Sequence, residues 1–188
     1  MLNTQIIASQ VSNLTDARYY AAWGVKYMSF NRNMGASTFI SREELFEIRE
    51  WVEGPEFLGE FTGLEEGEDI EKIVDEENLD GVIVGAYTPI HTIKALDTNV
   101  IIHECLFNNI PKNPNTPIIV KLKKSEISKL KISSDHTCYL DIYDFDLNTV
   151  KSIIQERNFG LVLRGGEEEK VGFKSFGFLD DVYDLVMD

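Results

Sequence analysis

Residues Thr4 to Phe30 read TQIIASQVSNLTDARYYAAWGVKYMSF. Thr4 to Ser9 is a short apolar run that ends on polar residues, the pattern of a buried strand. Asn13 stands where a helix cap belongs, Leu14 to Trp23 is an amphipathic stretch, and Gly24 supplies the stop. Val25 to Phe30 reads as a second strand. A strand, a capped helix and a second strand in close succession form a crossover unit, which joins parallel strands.

The same alternation continues along the chain. A loop leads to Ser41-Arg42-Glu43-Glu44, a capping box that opens a helix to about Val52. Strands are predicted at Glu56 to Thr62, Asp80 to Val84, Asn99 to Cys105, Thr116 to Leu122, Thr137 to Tyr143 and Gly160 to Arg164. Between them fall an acidic helix over Glu68 to Glu77, a short helix near Pro89 to Leu96, a turn-rich stretch from Asn108 to Asn115, a weak helix over Ser125 to Leu130 and a clear one over Leu147 to Arg157. A last helix covers Phe178 to Met187. Eight strands with crossovers is the count that closes a barrel. The chain has 188 residues, fewer than the roughly 250 typical of such barrels. The expected fold is therefore α/β, a compact (β/α)8 TIM-type barrel with short or missing helices, in a single domain over 1–188.

Composition narrows the function classes. The chain is 43% hydrophobic and 27% charged, ordinary for a globular protein. No apolar run is long enough to span a bilayer, and the first residues lack the basic and apolar regions of a secretory signal. The net charge of −14 repels phosphate backbones and anionic lipid, so neither nucleic acid nor membrane is expected as a partner. Cys105 and Cys138 are too few and too far apart for a disulfide framework or a zinc cluster, and read as buried thiols in a reducing, cytoplasmic setting. His91, His103 and His136 are isolated, so no metal site is expected, and no cofactor. The carboxylates of Glu65 to Glu77 and Glu167 to Glu169 read as solvated faces and loops. Phe57, Phe61, Tyr139, Tyr143, Phe173, Phe176 and Phe178 read as core and helix packing.

Several of these stretches carry a family resemblance. Leu14-Thr15-Asp16-Ala17-Arg18 and Ala21 to Phe30 resemble the start of phosphoribosylanthranilate isomerase, where a strand ending K-I-C-G precedes a helix opening D-A and a strand G-A-D-Y-L-G-F. Ser37 to Glu44 is similar to that family's R-Y-I-S-P-E-E loop, and Leu79 to Gly85 to its L-D-A-V-Q-L-H-G strand. Gly165-Gly166-Glu167 and Val171 to Lys174 are similar to its S-G-V-E and P-G-V-K-D segments. The likeness is best over the first ninety residues and almost absent from Asn108 to Asp135.

The resemblance implies an Amadori rearrangement of a phosphorylated sugar amine. That reaction needs a general acid to open the ribose ring and a general base to move a proton. In the family a Cys at the end of strand one and an Asp at the end of strand six supply them, with Gly-rich turns after strands seven and eight for the phosphate. Here the Cys position falls on Ser9 and the following Gly on Gln10. The Asp position falls near Lys121, the strand-four Gln and His on Ile83 and Gly85, and the loop Arg near Thr38. The strand-seven glycines give way to Leu140 to Tyr143, while Gly165 and Gly166 survive beside Arg164. Tyr139-Leu140-Asp141 also resembles the family's strand six. Numbered that way Asp141 would be the base, but too few strands would then remain to close eight.

The candidate site residues are therefore Ser9 and Asp141 for catalysis, and Lys121, Arg164, Gly165, Gly166 and Glu104 for substrate or anion binding, gathered with Glu60 at the carboxyl face. One reading is a working pocket for a small anionic metabolite. The favoured one is an ion-pair network filling the mouth of a barrel that no longer catalyses. The expected function is a phosphoribosylanthranilate isomerase-like binding protein without isomerase activity, linked through its relatives to tryptophan biosynthesis, with a protein partner suited to an acidic surface. An enzyme of altered specificity, or a divergent active isomerase, is the alternative. Oligomeric state is not fixed by the sequence.

Overall fold

The computed structural model describes every residue except 1–3, 64–66, 112–115, 133–135, 143, 157–158, 166–167, 171–172, 175 and 188. Eight strands run in chain order: β1 (Ile6–Ser9), β2 (Tyr27–Asn31), β3 (Glu56–Phe61), β4 (Gly81–Val84), β5 (Val100–Leu106), β6 (Ile118–Lys121), β7 (Cys138–Asp141) and β8 (Gly160–Arg164). Each pairs in parallel with the next. β8 returns to β1 with Ile6 opposite Leu161 and Ser9 opposite Arg164, which closes the barrel.

The strands divide their side chains by a period of two, because successive Cβ atoms point to opposite faces. Ile7, Tyr27, Leu58, Ile83, Ile102, Ile119, Tyr139 and Val162, one from each strand, form a buried cluster inside the barrel. Their neighbours, among them Ile6, Ala8, Met28, Phe30, Phe57, Val82, Val120 and Leu161, point outward into a second core shared with the helices. Two apolar faces per strand explain why these runs read as almost continuously hydrophobic.

The helices are α1 (Leu14–Trp23), α2 (Arg42–Trp51), α3 (Gly67–Glu76), α4 (Ile90–Ala95), α5 (Leu147–Glu156) and α6 (Gly177–Met187). Asn13 caps α1 by accepting from the Asp16 N–H at 2.9 Å, and Gly24 ends it at φ 74°, a conformation that favours glycine. Ser41 and Glu44 form the reciprocal capping box of α2. Among the described residues the connections after β5 and β6 hold only 3₁₀ turns, Phe107–Asn109 and Lys124–Lys129. The helix expected over Ser125 to Leu130 is therefore a 3₁₀ segment; with few apolar anchors, so short a stretch cannot sustain an α-helix. A small antiparallel hairpin, β9 (Glu168–Lys170) with β10 (Phe173–Lys174), follows β8 where the sequence reads as loop.

Other boundaries shift by a residue or two, and the order of elements is as expected. Cys105 and Cys138 are buried and free. Phe57, Phe61 and Tyr139 are buried, and Phe176 stacks on Tyr19 at 4.1 Å. Phe178 is instead exposed, at the first turn of α6. Tyr143 lies outside the described residues. Glu77 departs from the solvated reading: its carboxylate pairs with Arg32 at 2.5 Å in a largely buried bridge. No helix among the described residues is long and apolar enough to cross a membrane.

Candidate functional site at the carboxyl end of the barrel

Two residues beyond each member of the inner apolar cluster, the strands present Ser9, Ser29, Glu60, Gly85, Glu104, Lys121, Asp141 and Arg164. The period of two carries these side chains to the same interior, one layer nearer the carboxyl ends. The barrel thus changes from a largely apolar floor to a polar mouth within a single step along every strand but β4, where Gly85 stands.

Three contacts organise that mouth. Glu60 is only 2% exposed. Its Oε1 accepts from Ser9 Oγ at 2.7 Å, from Ser29 Oγ at 2.6 Å and from the Gln10 N–H at 3.0 Å. Lys121 Nζ lies 2.9 Å from both carboxylate oxygens of Glu104. Arg164 donates to Asp141 Oδ2 at 2.6 Å. Register makes Lys121 the direct neighbour of Asp141, and Ser9 of Arg164, so the contacts follow one another around the mouth.

Burial pushes the Glu104 carboxyl above its ordinary 4.5; Lys121 opposes the rise, and the Glu60 and Asp141 charges add to it. Glu104 therefore feels both of the other carboxylates. Gln10 adopts φ 55°, a left-handed backbone unusual for a side chain of its kind. That conformation turns its N–H onto Glu60, and it belongs to the position where the resemblance places a glycine.

Gly165 follows β8 with its α-carbon against Asp16. A Cβ there would lie 2.3 Å from Asp16 Oδ2, so any larger residue would have to displace the Asp16 carboxylate. Asp16 is itself buried and accepts from Asn13 Nδ2 at 2.9 Å. The turn expected to cradle a phosphate thus has a carboxylate packed behind it, where like charge opposes an anion. Gly166 lies outside the described residues.

The structure brings together Ser9, Glu104, Lys121, Asp141, Arg164 and Gly165 at one face. It also settles the strand numbering: Lys121 closes β6 and Asp141 closes β7. Sequence reasoning placed Glu60 at a strand end but missed its role as the acceptor that joins β1, β2 and β3. It missed Ser29 altogether. The alternation Tyr27, Ser29, Asn31 was the available signal. His103 points away from Glu104 to the outer face, where its Nδ1 lies 3.9 Å from Cys105 Sγ and burial lowers its pKa. Among the described residues no group of three or more His, Cys, Asp or Glu side chains converges as metal ligands do. A cleft of about 200 Å³ lies elsewhere, on the flank between α3 and the turn before β5, lined by Glu71, Asp75 and Asp97 among others.

No family model matches the chain, and no curated protein sequence does. Solved structures match over nearly its whole length. Phosphoribosylanthranilate isomerase from Thermus thermophilus superposes with a TM-score of 0.78 at 15% identity, covering 97% of this chain and 98% of that one. A phosphoribosylanthranilate isomerase in complex with reduced 1-(o-carboxyphenylamino)-1-deoxyribulose 5-phosphate gives 0.75 at 18% identity, covering 98% of both chains. The 3-keto-L-gulonate-6-phosphate decarboxylase of Vibrio cholerae gives 0.59 at 11% identity, covering 100% of this chain and 98% of that one. The chain has the fold of the phosphoribosylanthranilate isomerases.

Proposed function

We propose that this chain is a divergent phosphoribosylanthranilate isomerase homologue that does not perform the isomerisation and is retained as a binding protein. The observation that carries the reading is the state of the two positions where the resemblance calls for an acid and a base. Ser9, at the end of β1, donates its hydroxyl proton to Glu60. An alcohol is a far weaker acid than a thiol, and this one is already engaged. Lys121, at the end of β6, holds both oxygens of Glu104. An ammonium in an ion pair has no lone pair with which to take a proton. Asp141, the other candidate base, sits one strand further round and is held by Arg164. Asp16 behind Gly165 adds a charge that opposes the substrate's phosphate.

A link to tryptophan biosynthesis follows from the relatives alone, since fold does not carry function. The test is a direct assay of phosphoribosylanthranilate isomerisation by the purified chain. No turnover above the uncatalysed rate is expected. Turnover abolished by Ser9→Ala or Asp141→Asn would overturn the proposal and identify a divergent active isomerase.

A further inference from the structure

Of the three carboxylates at the mouth, two have a cation: Glu104 has Lys121 and Asp141 has Arg164. Glu60 has none among the described residues, although it is the most buried of the three. A buried charge without a counter-charge is costly unless hydrogen bonds offset it. Here the offset is one-sided. All three donors, Ser9 Oγ, Ser29 Oγ and the Gln10 N–H, converge on Oε1. Oε2 takes no hydrogen bond among the described residues. Glu60 lies two residues beyond Leu58 of the inner cluster, so its side chain points to the interior of the mouth.

We propose that the mouth binds a small primary ammonium, seated on Glu60 Oε2. The chemistry selects among cations. An ammonium carries three donors and no preferred plane, so one free carboxylate oxygen and the lone pairs of the Ser9 and Ser29 hydroxyls suit it. A guanidinium binds a carboxylate best through two oxygens side by side, and here Oε1 is already taken by three donors. A divalent metal needs six or more oxygen ligands, more than Glu60 Oε2 and the two hydroxyls supply. An anion meets Glu60 and, behind Gly165, Asp16. The site deepens the non-isomerase reading by naming the ligand of the same mouth, and the two fail separately. Turnover of phosphoribosylanthranilate sinks that reading, whereas the titration below sinks only this one.

The probe is ethanolamine, titrated into the full chain in 0.15 M NaCl while backbone amide resonances are followed. The Gln10 amide, which donates to Glu60, shifts saturably, and its neighbours in β1 and β2 shift with it. Guanidinium and inorganic phosphate at equal concentration leave it in place. Glu60→Gln, which keeps the shape and removes the charge, weakens ethanolamine at least tenfold. Should that variant fail to fold, 1,2-ethanediol, neutral and of similar size, serves as the control and leaves Gln10 unmoved. The proposal is overturned if ethanolamine does not move Gln10, if its shifts are confined to the acidic outer helices, if Glu60→Gln binds it equally well, or if phosphate, guanidinium, magnesium or the diol moves Gln10 to the same extent.

Discussion

Glu104 concentrates the electrostatics of the mouth in one side chain. Burial raises its carboxyl most, Lys121 pulls it back, and Glu60 and Asp141 push it up again. Because the folded value lies above the unfolded one, the native state holds this proton more tightly than the unfolded chain does. The stability that Glu104 contributes is therefore present below its ordinary 4.5 and is lost as pH rises through the raised folded value. Glu104→Gln removes the titration. From pH 4 to pH 7 the urea midpoint of the parent should fall relative to that of Glu104→Gln. A parent that gains on the variant over this range would mean that the Lys121 pair outweighs burial. At this scale the sequence was readable where chemistry sits at strand ends, so Lys121, Asp141, Arg164 and Glu104 were all anticipated there. It was not readable where a contact depends on backbone conformation or on distant partners. The left-handed Gln10 and the convergence of Ser9 and Ser29 on Glu60, across fifty-one and thirty-one residues, leave no local trace.

Between elements, the most consequential polar contact lies outside the mouth. Arg32, just past β2, reaches Glu77, just past α3, with side chains 5% and 9% exposed. The guanidinium also donates to the Ile40 carbonyl at 2.9 Å, which ties the loop before α2 into the bridge. Removing one partner leaves the other charge buried. Glu77→Ala should cost about 3–5 kcal/mol of unfolding free energy, while Arg32→Met with Glu77→Leu should come close to the parent. Chemical denaturation of the three proteins decides it. Equal losses in the single and double variants would show that the bridge acts through packing rather than charge. Glu77 closes an acidic run whose neighbours are solvated, and its partner lies forty-five residues away, so composition alone assigned it to the surface. The strands were legible for the opposite reason. Each is a short run with apolar side chains on both faces, and Asn13, Gly24 and the Ser41–Glu44 box mark helix ends through local hydrogen bonds that sequence spacing encodes. The 3₁₀ turns after β5 and β6 were hardest to foresee, because a few turn residues and lysines fit several backbone paths.

For the molecule as a whole, charge sets the terms. Thirty-two acidic side chains oppose eighteen basic ones, a net charge of −14. Like charges brought together by folding repel, and this works against the compact state. The exposed ion pairs that work the other way, Lys124 with Asp146 and Lys72 with Glu76, sit at well-solvated positions where such pairs contribute little. The helix ends repeat the imbalance. Acidic residues occupy the first turns of α1, α2 and α6, where they complement the helix dipole, whereas α1, α3, α5 and α6 have no basic residue in the last turn. Repulsion between well-separated surface charges is screened once the Debye length falls from about 30 Å at 0.01 M salt to about 3 Å at 1 M, while the buried Arg32–Glu77 bridge is screened much less. Added sodium chloride should therefore raise the melting temperature steeply at first, then level off. Sodium sulfate at equal ionic strength should raise it further, because excluded salts strengthen apolar burial independently of charge. A melting temperature that falls with sodium chloride would place the dominant electrostatics in surface attractions rather than in net repulsion.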